Sequence, residues 1–386
     1  MGDILHALPA VTALRVAHPD WQIGWVVEPR WQPLLRAGNR DQGSGIREEH
    51  GTATPIRDTA MPIRNAAMPI VDRLHFAPSR EWKRHPFSAN TRRAIGALRH
   101  ELRAAGYSAV LDLQGAIRSA VIARMSGCQR RIGEAAPREW PAHWLFTERV
   151  VTHGAHVIEQ DLELASAVAG DALSANLANA SGLANASRST SFAPPLPAPL
   201  LPIDPEAEAW CANWLADTFP GPARPIALIT PGAGWGAKRW PPERYAAVAE
   251  GLAERGLHVV VNAGPGEEPL AAAIASGRAV VLTASLPQLI ALTRRIALCI
   301  GGDTGPLHLA SALGRPVVGI YGPTDPSRNG PYGTRARVLR SPDSRRDHSR
   351  RAAPDPGLLT IAPEDVLRAA DELFAEESAP RRVPND

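Results

Sequence analysis

A glycine-rich turn carrying a carboxylate, a hydroxyl and an imidazole follows the apolar segment at residues 296–300. Residues 301–308 read GGDTGPLH, which predicts a strand, a tight turn and a helix with His308 in its first turn. Backbone N–H groups at such a junction, together with the helix dipole, favour an anion. A second predicted strand, 316–321, ends in a similar turn that reads GPTDP. If the strands are parallel neighbours, the turns form a pocket for the phosphates of a nucleotide; otherwise they are ordinary strand-to-helix connections.

Two charged residues stand after other apolar segments in the same half of the chain. Lys238 follows the glycine-rich loop 231–237, where an ammonium group suits a diphosphate, although a solvated loop lysine has the same pattern. Glu267 follows the predicted strand 258–262 and a turn rich in glycine. A carboxylate there can accept hydrogen bonds from both hydroxyls of a ribose, or it can complement the dipole of the next helix. Its neighbour Glu268 is the alternative for the first role.

Segments with strand and helix patterns alternate along the chain, which is typical of parallel βαβ layers. The predicted helices are 4–17, 91–105, 115–124, 242–255, 267–276, 286–293 and 363–376. The predicted strands are 22–27, 109–112, 226–230, 258–262, 280–283, 296–300 and 316–321. We therefore expect an α/β fold with two Rossmann-like, doubly wound domains at 1–170 and 223–362. A final helix, 363–377, is expected to pack back on the first domain.

Length and composition are typical of a globular protein with more than one domain. Of its 386 residues, 44% are hydrophobic and 21% are charged, and no apolar run reaches the length of about 18 residues that a membrane-spanning helix needs. The three cysteines are far apart, which argues against a disulfide framework and against a CxxC metal site. The net charge is +3, and the basic residues lack the aromatic interleaving typical of nucleic-acid binding.

Two segments interrupt the alternation of strands and helices. Residues 38–69 repeat the sequence AMPI, and residues 171–205 repeat LANAS and end in a proline cluster. Polar, repetitive composition of this kind cannot bury a core. We therefore expect 38–69 to be a mobile insert and 171–222 to be a disordered linker that leads into the second domain.

The segments that carry these residues resemble a known family. The block at 301–326, GGDTGPLHLASALGRPVVGIYGPTDP, is similar to the nucleotide-sugar-binding signature of glycosyltransferase family nine, the lipopolysaccharide heptosyltransferases. Three more segments agree and follow the family's order: MGDILHALP at 1–9, WVVE at 25–28 and KRWP at 238–241. Within the family, the WVVE and YGPTDP segments look most like heptosyltransferase I, the type that adds the first heptose to the inner core.

The resemblance implies an inverting transfer of heptose from ADP-heptose to the Kdo sugar of lipid A. It implies the GT-B architecture, in which two Rossmann-like domains face each other across a cleft. It also implies a catalytic base at Asp3, which on its residues alone would be interpreted as a helix N-cap. The residues that match the family's donor contacts are Lys238, Glu267, Asp303, Thr304, Gly305 and His308.

For the acceptor, the resemblance implies a lipid that carries acidic sugars, which a cationic segment would bind. Arg80, Lys83 and Arg84 lie in such a segment, expected to be a loop of the first domain, although a solvated loop has the same composition. Gln114 matches the family's Asp-x-Gln-Gly turn, which faces the same cleft. No cofactor or metal ion is implied, and nucleic acid is not an expected partner. The expected place of action is the cytoplasmic side of the inner membrane, in peripheral association with it.

The resemblance further implies an apolar strand immediately before Gly2, so the first strand of the N-terminal domain is apparently missing and we expect the true start to lie upstream of Met1. Two other functions stay open from the sequence. One is another family-nine transfer, such as the step of heptosyltransferase II. The other is a nucleotide-sugar-binding protein that N-terminal truncation has made inactive.

Overall fold

The computed structural model describes residues 1–37, 69–170, 198–275, 277–345 and 351–378. The predicted insert 38–69, apart from Pro69, and the LANAS repeats of the predicted linker lie outside these residues. The described chain forms two α/β domains in which the paired strands are parallel, which confirms the predicted fold class. In these ranges no helix is both long enough and apolar enough to cross a membrane.

The described elements of the first domain are, in chain order, α1 (Gly2–Ala17), β1 (Gly24–Val27), a 3-10 helix (Pro29–Leu34), β2 (Arg73–Phe76), α2 (Ser79–Arg84), α3 (Ala89–Ala104), β3 (Val110–Asp112), α4 (Ile117–Met125), β4 (Arg131–Glu134), a 3-10 helix (Trp140–Leu145), β5 (Glu148–Val150) and α5 (Val157–Ala169). Strand β1 pairs with β2, whereas β3, β4 and β5 form a separate sheet. Ala10 and Leu14 of α1 belong to a buried cluster against which Ile23, beside β1, and Leu111, in β3, are packed. Helix α1 therefore covers both sheets.

The described elements of the second domain are α6 (Pro205–Thr218), β6 (Ile226–Thr230), a 3-10 helix (Gly236–Lys238), α7 (Pro242–Glu254), β7 (His258–Ala263), α8 (Glu268–Ile274), β8 (Ala279–Thr283), α9 (Leu286–Thr293), β9 (Leu298–Gly302), α10 (Gly305–Ala312), β10 (Val317–Tyr321), α11 (Pro326–Asn329), β11 (Ala336–Arg340), a 3-10 helix (Leu358–Thr360) and α12 (Pro363–Ser378). Its sheet has the order β11-β10-β9-β6-β7-β8. The chain first winds outward from β6 to β8 and then returns to β9 on the other side of β6. The carboxyl ends of β6 and β9 thus flank the topological switch point, where doubly wound sheets bind their ligands.

The two domains share a hydrophobic core. Strands β6, β9 and β10 are buried along their whole length, as expected for parallel strands covered on both faces. One buried cluster contains Leu5 and Leu8 of α1 together with Leu307 and Leu309 of α10. This continuity holds the first turn of α1 in a defined position relative to the second sheet.

The predicted elements that lie in described residues are confirmed, with ends shifted by one or two residues. The elements that were missed include the short elements β2, α2, β4, β5, α11 and β11 and the longer helices α5 and α6. Expected disorder over 171–222 is wrong for α6, whose N-terminus is capped by Asp204 through hydrogen bonds from the N–H groups of Glu206 and Ala207, each 3.1 Å long. Its Cys211 is buried, and the helix packs on α9.

The expected return of the final helix to the first domain is also wrong. Helix α12 packs on the second domain, where Val366 and Leu373 are buried in the core of that domain. The exposed side of the helix forms an ion pair with the same domain, since Oδ1 of Asp371 lies 2.8 Å from Nε of Arg255. Both faces of the helix therefore find partners on the domain that precedes it in the chain.

Candidate functional site

The donor-side residues meet at the switch point of the second sheet. Lys238, in the 3-10 helix after β6, donates a hydrogen bond from Nζ to Oδ2 of Asp303, which follows β9. Oδ1 of Asp303 lies 2.9 Å from Nε2 of His308. The exposed fractions of these side chains are 10%, 11% and 6%. Because Nζ of Lys238 also lies 4.2 Å from the centroid of the Trp235 ring, this lysine is held in place and is not a solvated loop lysine.

Asp303 keeps its negative charge in this site. Burial raises the pKa of its carboxyl, but the hydrogen bond and charge of His308, and then those of Lys238, outweigh burial and hold the pKa well below its ordinary value. The resulting carboxylate fixes the ammonium group of Lys238 and the ring of His308 at the carboxyl ends of β6 and β9.

Two hydroxyl groups at the strand ends have no hydrogen-bond partner among the described residues. Thr304 is the N-cap residue of α10, yet its side chain makes no capping hydrogen bond and its Oγ1 is buried. Thr324, in the turn after β10, has a buried Oγ1 of the same kind. A buried unpaired hydroxyl costs about 1–3 kcal/mol, so both groups indicate a place for a polar ligand. Thr324 belongs to the turn quoted from the sequence, but it was not named there as a candidate.

Glu267 lies at the next pair of strand ends. Its Oε2 accepts a hydrogen bond from the N–H group of Gly264 at 3.1 Å. A Cβ atom on Gly232 would collide with the same carboxylate, so the carboxylate fills the space between the ends of β6 and β7. The alternative residue, Glu268, is exposed in the first turn of α8. The geometry therefore favours Glu267 of the two.

The first turn of α1 lies directly against the first turn of α10. A Cβ atom on Gly305 would lie 2.7 Å from the sulfur of Met1, so a side chain at this position would have to displace that of Met1. Nε2 of His6 lies 3.4 Å from Nδ1 of His308. Asp3 belongs to the same turn of α1. The predicted base and the turn predicted to bind phosphate are thereby brought close together where the two domains meet.

Asp3 has two partners in the first domain, and its side chain is 60% exposed. Its Oδ2 accepts a hydrogen bond from Nε2 of Gln114 at 2.8 Å, and NH1 of Arg138 lies 3.8 Å from the same oxygen. Asp112 fixes the turn that carries Gln114, because its Oδ1 accepts from the N–H groups of Gln114 and Gly115 at 2.9 Å each. Asp3 is not the N-cap of α1, a position that Met1 occupies.

The cationic segment expected to be a loop is a short helix, α2, which contains Arg80, Lys83 and Arg84. Oε1 of Glu28, the last residue of the WVVE segment, accepts hydrogen bonds from Oγ of Ser79 at 2.5 Å and from the N–H group of Arg80 at 3.1 Å. This distant carboxylate supplies a hydrogen-bond acceptor to the first turn of the helix. The local sequence therefore did not reveal the helix.

Two arginines at the cleft were missed in the sequence. NH1 of Arg118, on α4, donates to Oγ of Ser79 at 3.0 Å, and its NH2 donates to Oε1 of Gln114 at 3.4 Å. With Arg138, it places positive charge beside Asp3 and Gln114. Among the described residues, Lys83 and Arg84 form no hydrogen bond or ion pair with this group. The sequence signal for Arg118 was its position four residues after Gln114, on the next helix.

Histidines of the first domain extend the contact with His308, and they too were missed. The ring of His156, the N-cap of α5, lies 5.8 Å from that of His6 and stacks on Tyr332 at 4.5 Å, measured between centroids. Its Nδ1 accepts from the N–H group of Ile158, and its Nε2 lies 3.0 Å from the carbonyl oxygen of Gly330. Burial is the main cause that lowers the pKa of His6 well below its ordinary value and that of His156 to about 4. Both rings are therefore neutral at pH 7.

Replacing His156 by Asn is expected to reduce the loss of stability on acidification. In the unfolded chain this histidine binds a proton near pH 6.5, whereas the folded pKa is about 4. The contribution of His156 to the unfolding free energy therefore has its full value above about pH 6.5. It falls as the pH is lowered towards 4. Asn preserves an N-cap acceptor for Ile158 and does not titrate. In urea unfolding, the drop in unfolding free energy from pH 7 to pH 5 should be about 2 kcal/mol smaller in the variant.

The matched control is His100→Asn, because His100 is exposed on α3. This variant shows what the loss of an exposed histidine does by itself, for comparison with His156→Asn. Equal pH dependence of the wild type and His156→Asn would contradict the assignment of the acid-sensitive step to His156.

Within the described ranges, no group of three or more His, Cys, Asp and Glu side chains is placed to hold a metal ion. The described residues instead place the ammonium group of Lys238 at the N-terminus of α10, and Arg118 and Arg138 beside the carboxylate of Asp3. Such an arrangement can stabilise an anionic leaving group on one side and accept a proton on the other.

Known proteins similar to this chain agree with that chemistry. The model of glycosyltransferase family 9 (heptosyltransferase) matches residues 95–355. Lipopolysaccharide heptosyltransferase 1 of Escherichia coli K12 is 27% identical over 350 residues, which cover 89% of this chain and 91% of that protein. Lipopolysaccharide heptosyltransferase 2 of the same strain is 32% identical over 169 residues, which cover 40% and 49%. The solved structure of E. coli heptosyltransferase WaaC with ADP-2-deoxy-2-fluoro heptose has a TM-score of 0.64 and 25% identity, covering 98% of this chain and 97% of that one.

Proposed function

Because this chain belongs to glycosyltransferase family 9, the heptosyltransferases, we propose that it transfers heptose from ADP-heptose to the Kdo sugar of lipid A. Its fold is of the GT-B type, with the two domains described above. The contact between α1 and α10, which brings Asp3 to the phosphate-binding turn, is the observation that carries the proposal. The similarity to heptosyltransferase 1 extends over nearly the whole chain, whereas that to heptosyltransferase 2 covers 40% of it, which favours the first heptose transfer.

On the donor side, the diphosphate is assigned to the turn that opens α10. The N–H groups of Thr304 and Gly305 and the unpaired hydroxyl of Thr304 face it, and Lys238 supplies an ammonium group with further N–H donors. His308 adds an imidazole in the first turn of the same helix. This set neutralises the charge that develops on the departing ADP, so no metal ion is expected to be needed.

The rest of ADP-heptose is assigned to the neighbouring carboxylates. Glu267 accepts hydrogen bonds from the ribose hydroxyls, because its carboxylate stands between the ends of β6 and β7. Asp303 orients Lys238 and His308 and faces the sugar, whose hydroxyls can donate to its remaining lone pairs.

On the acceptor side, Asp3 takes the proton of the attacking hydroxyl. The hydroxyl oxygen then forms a bond to the anomeric carbon, and the bond from that carbon to the diphosphate breaks on the opposite face, so the configuration inverts. Gln114 and Arg138 hold the carboxylate of Asp3 in place. Arg118 and Arg80 carry the positive charge that acidic sugars of the acceptor require, with Lys83 and Arg84 further along α2. Since the acceptor is a lipid, the reaction takes place at the cytoplasmic face of the inner membrane.

The test is an assay of ADP release from ADP-heptose with purified protein. Release with Kdo-lipid A, and none with an acceptor that already carries the first heptose, is the expected result. Release only with the heptosylated acceptor would assign the chain to the second transfer. A chain that binds ADP and releases none with either acceptor is a nucleotide-sugar-binding protein, and the proposed transfer is then wrong.

Replacing Lys238 by Ala is expected to weaken ADP binding by about 1–3 kcal/mol, the range of a hydrogen bond to a charged group. Isothermal titration calorimetry with ADP measures the effect. Lys83→Ala is the matched control, because Lys83 is the other lysine of the chain and is exposed on α2. Unchanged ADP affinity in Lys238→Ala would exclude a direct role for Lys238 in diphosphate binding.

A further inference from the structure

Large apolar side chains are exposed on two neighbouring elements of the first domain. On α4, Ile117 and Val121 are 42% and 43% exposed, and they lie one turn apart on the same side of the helix. On the adjacent 3-10 helix, Trp140 and Trp144 are 57% and 68% exposed. We call the surface formed by these four residues the tryptophan face.

A small buried cluster joins the two elements that carry the tryptophan face. Ala120, Ala142 and Phe146 form the buried contact between α4 and the 3-10 helix. Oε2 of Glu139 accepts from the N–H group of Ile117 at 2.8 Å and fixes the two elements to each other. A tryptophan side chain presents about 200 Å² of surface, most of it apolar, so exposing two of them costs free energy. An exposed apolar cluster of this kind indicates that another molecule covers it.

Arginines border the tryptophan face. Arg124 lies one turn beyond Val121 on the same exposed side of α4. Arg118 and Arg138 lie on the border towards the cleft, where Arg138 is 3.8 Å from the carboxylate of Asp3. Indole rings beside cationic side chains are suited to the boundary between water and an anionic lipid bilayer, where rings enter the headgroup region and cations meet phosphates.

We propose that the tryptophan face docks on the surface of an anionic lipid bilayer, with the rings of Trp140 and Trp144 in the headgroup region. The reason for docking rests on the proposed function, because a lipid-anchored acceptor must present its sugar to Asp3 while its acyl chains stay in the membrane. The face adjoins the cleft, since the N–H group of Glu139 donates to the carbonyl oxygen of Gly115 at 2.8 Å, next to Gln114. Docking therefore brings the mouth of the cleft to the level of the headgroups.

Vesicle flotation tests the proposal, with vesicles of phosphatidylcholine alone and vesicles that also contain phosphatidylglycerol, both free of acceptor lipid. The wild type should bind the anionic vesicles more strongly, and added salt should weaken this binding. The double variant Trp140→Ser/Trp144→Ser should lower the partition coefficient by about tenfold. Arg124→Ala should lower it less, and only on anionic vesicles. The control Leu359→Ser changes a side chain that is 40% exposed on the second domain, and it should bind as the wild type does.

Further measurements separate docking from folding and from catalysis. Thermal unfolding and ADP binding of the tryptophan variant should match the wild type, because both side chains are exposed. Turnover with a deacylated, water-soluble acceptor should be unchanged, whereas turnover with acceptor in vesicles should fall. Vesicle binding without any ADP release would defeat the proposed function and leave the docking face standing.

Three outcomes would overturn the docking proposal. The first is equal binding of the wild type and the tryptophan variant to anionic vesicles. The second is no preference of the wild type for anionic over neutral vesicles. The third is a wild-type dimer, seen by light scattering, that the tryptophan variant abolishes, because the face would then be an interface between two copies of the chain.

Discussion

Replacement of Asp3 by Asn is expected to lower the turnover number by a factor on the order of 100 or more, with ADP affinity unchanged. Asn has nearly the same shape and keeps a hydrogen-bonding oxygen for Gln114, but it cannot accept a proton from the acceptor hydroxyl. The residues proposed to bind the donor at the end of β9 are not altered, so ADP binding should be preserved. Steady-state rates at saturating ADP-heptose, together with calorimetry of ADP binding, measure the two effects.

The control for this change is Asp20→Asn, which removes an exposed carboxylate beyond the other end of α1 and should leave turnover unchanged. A third variant, Gln114→Leu, removes the hydrogen bond that orients Asp3 and should reduce turnover less than the loss of the carboxylate itself. If Asp3→Asn keeps full activity, the role of base passes to another carboxylate.

Asp161 of α5 is not suited to take over that role. It is buried, and burial, followed by the charge of Asp3 and then those of Glu134 and Asp112, raises the pKa of its carboxyl well above the ordinary value. Asp161 is therefore enclosed in the protein, where an acceptor hydroxyl cannot reach its carboxyl group. Asp3, in contrast, has a side chain that is 60% exposed, so an acceptor hydroxyl can reach its carboxylate.

The proximity of the residues proposed to bind the donor could be predicted from the sequence because it follows from one local rule. Parallel strands in a doubly wound sheet end at the same edge, so polar residues immediately after apolar segments must lie near each other. Lys238 after β6 and Asp303 after β9 are the clearest examples, and the structure joins them through a hydrogen bond. The same rule predicted a carboxylate after β7, and that of Glu267 lies between the ends of β6 and β7.

The acceptor side could not be predicted to the same extent because its contacts join distant parts of the chain. The N-terminus of α2 is satisfied by Glu28, which lies 51 residues before Ser79, and Arg118 reaches Ser79 from 39 residues away. Nothing in the short sequence of α2 reveals such partners. The position of α12 has a similar cause, since an amphipathic pattern predicts a buried face but not which domain covers it.

Helix α6 was missed for a different reason, because its local signal was present. Asp204 followed by Pro205 is a typical N-cap and first-turn pair, and acidic residues follow in the first turn. The proline-rich composition just before it outweighed that signal and led to an expectation of disorder.

The second large effect is expected at Asp303. Asp303→Ala should lower the unfolding free energy by about 3–5 kcal/mol, the range observed when one partner of a buried ion pair is removed. The ammonium group of Lys238, 10% exposed, would be left without its counter-charge, and the ring of His308, 6% exposed, would lose its carboxylate partner. Urea unfolding at pH 7 measures this loss. Calorimetry should also show weakened ADP binding, because neither side chain keeps its position.

The double variant Asp303→Ala/Lys238→Met separates the two consequences of losing Asp303. Removing the ammonium group as well leaves no unpaired buried charge at this point, so most of the lost stability should return. ADP binding should not return, because Lys238 is itself proposed to bind the diphosphate. The single variant Lys238→Met completes the comparison. If the double variant loses as much stability as the two single variants together, the side chains do not act as a pair. Recovery of stability without recovery of ADP binding is the result expected if Asp303 serves the donor site by holding Lys238 in place.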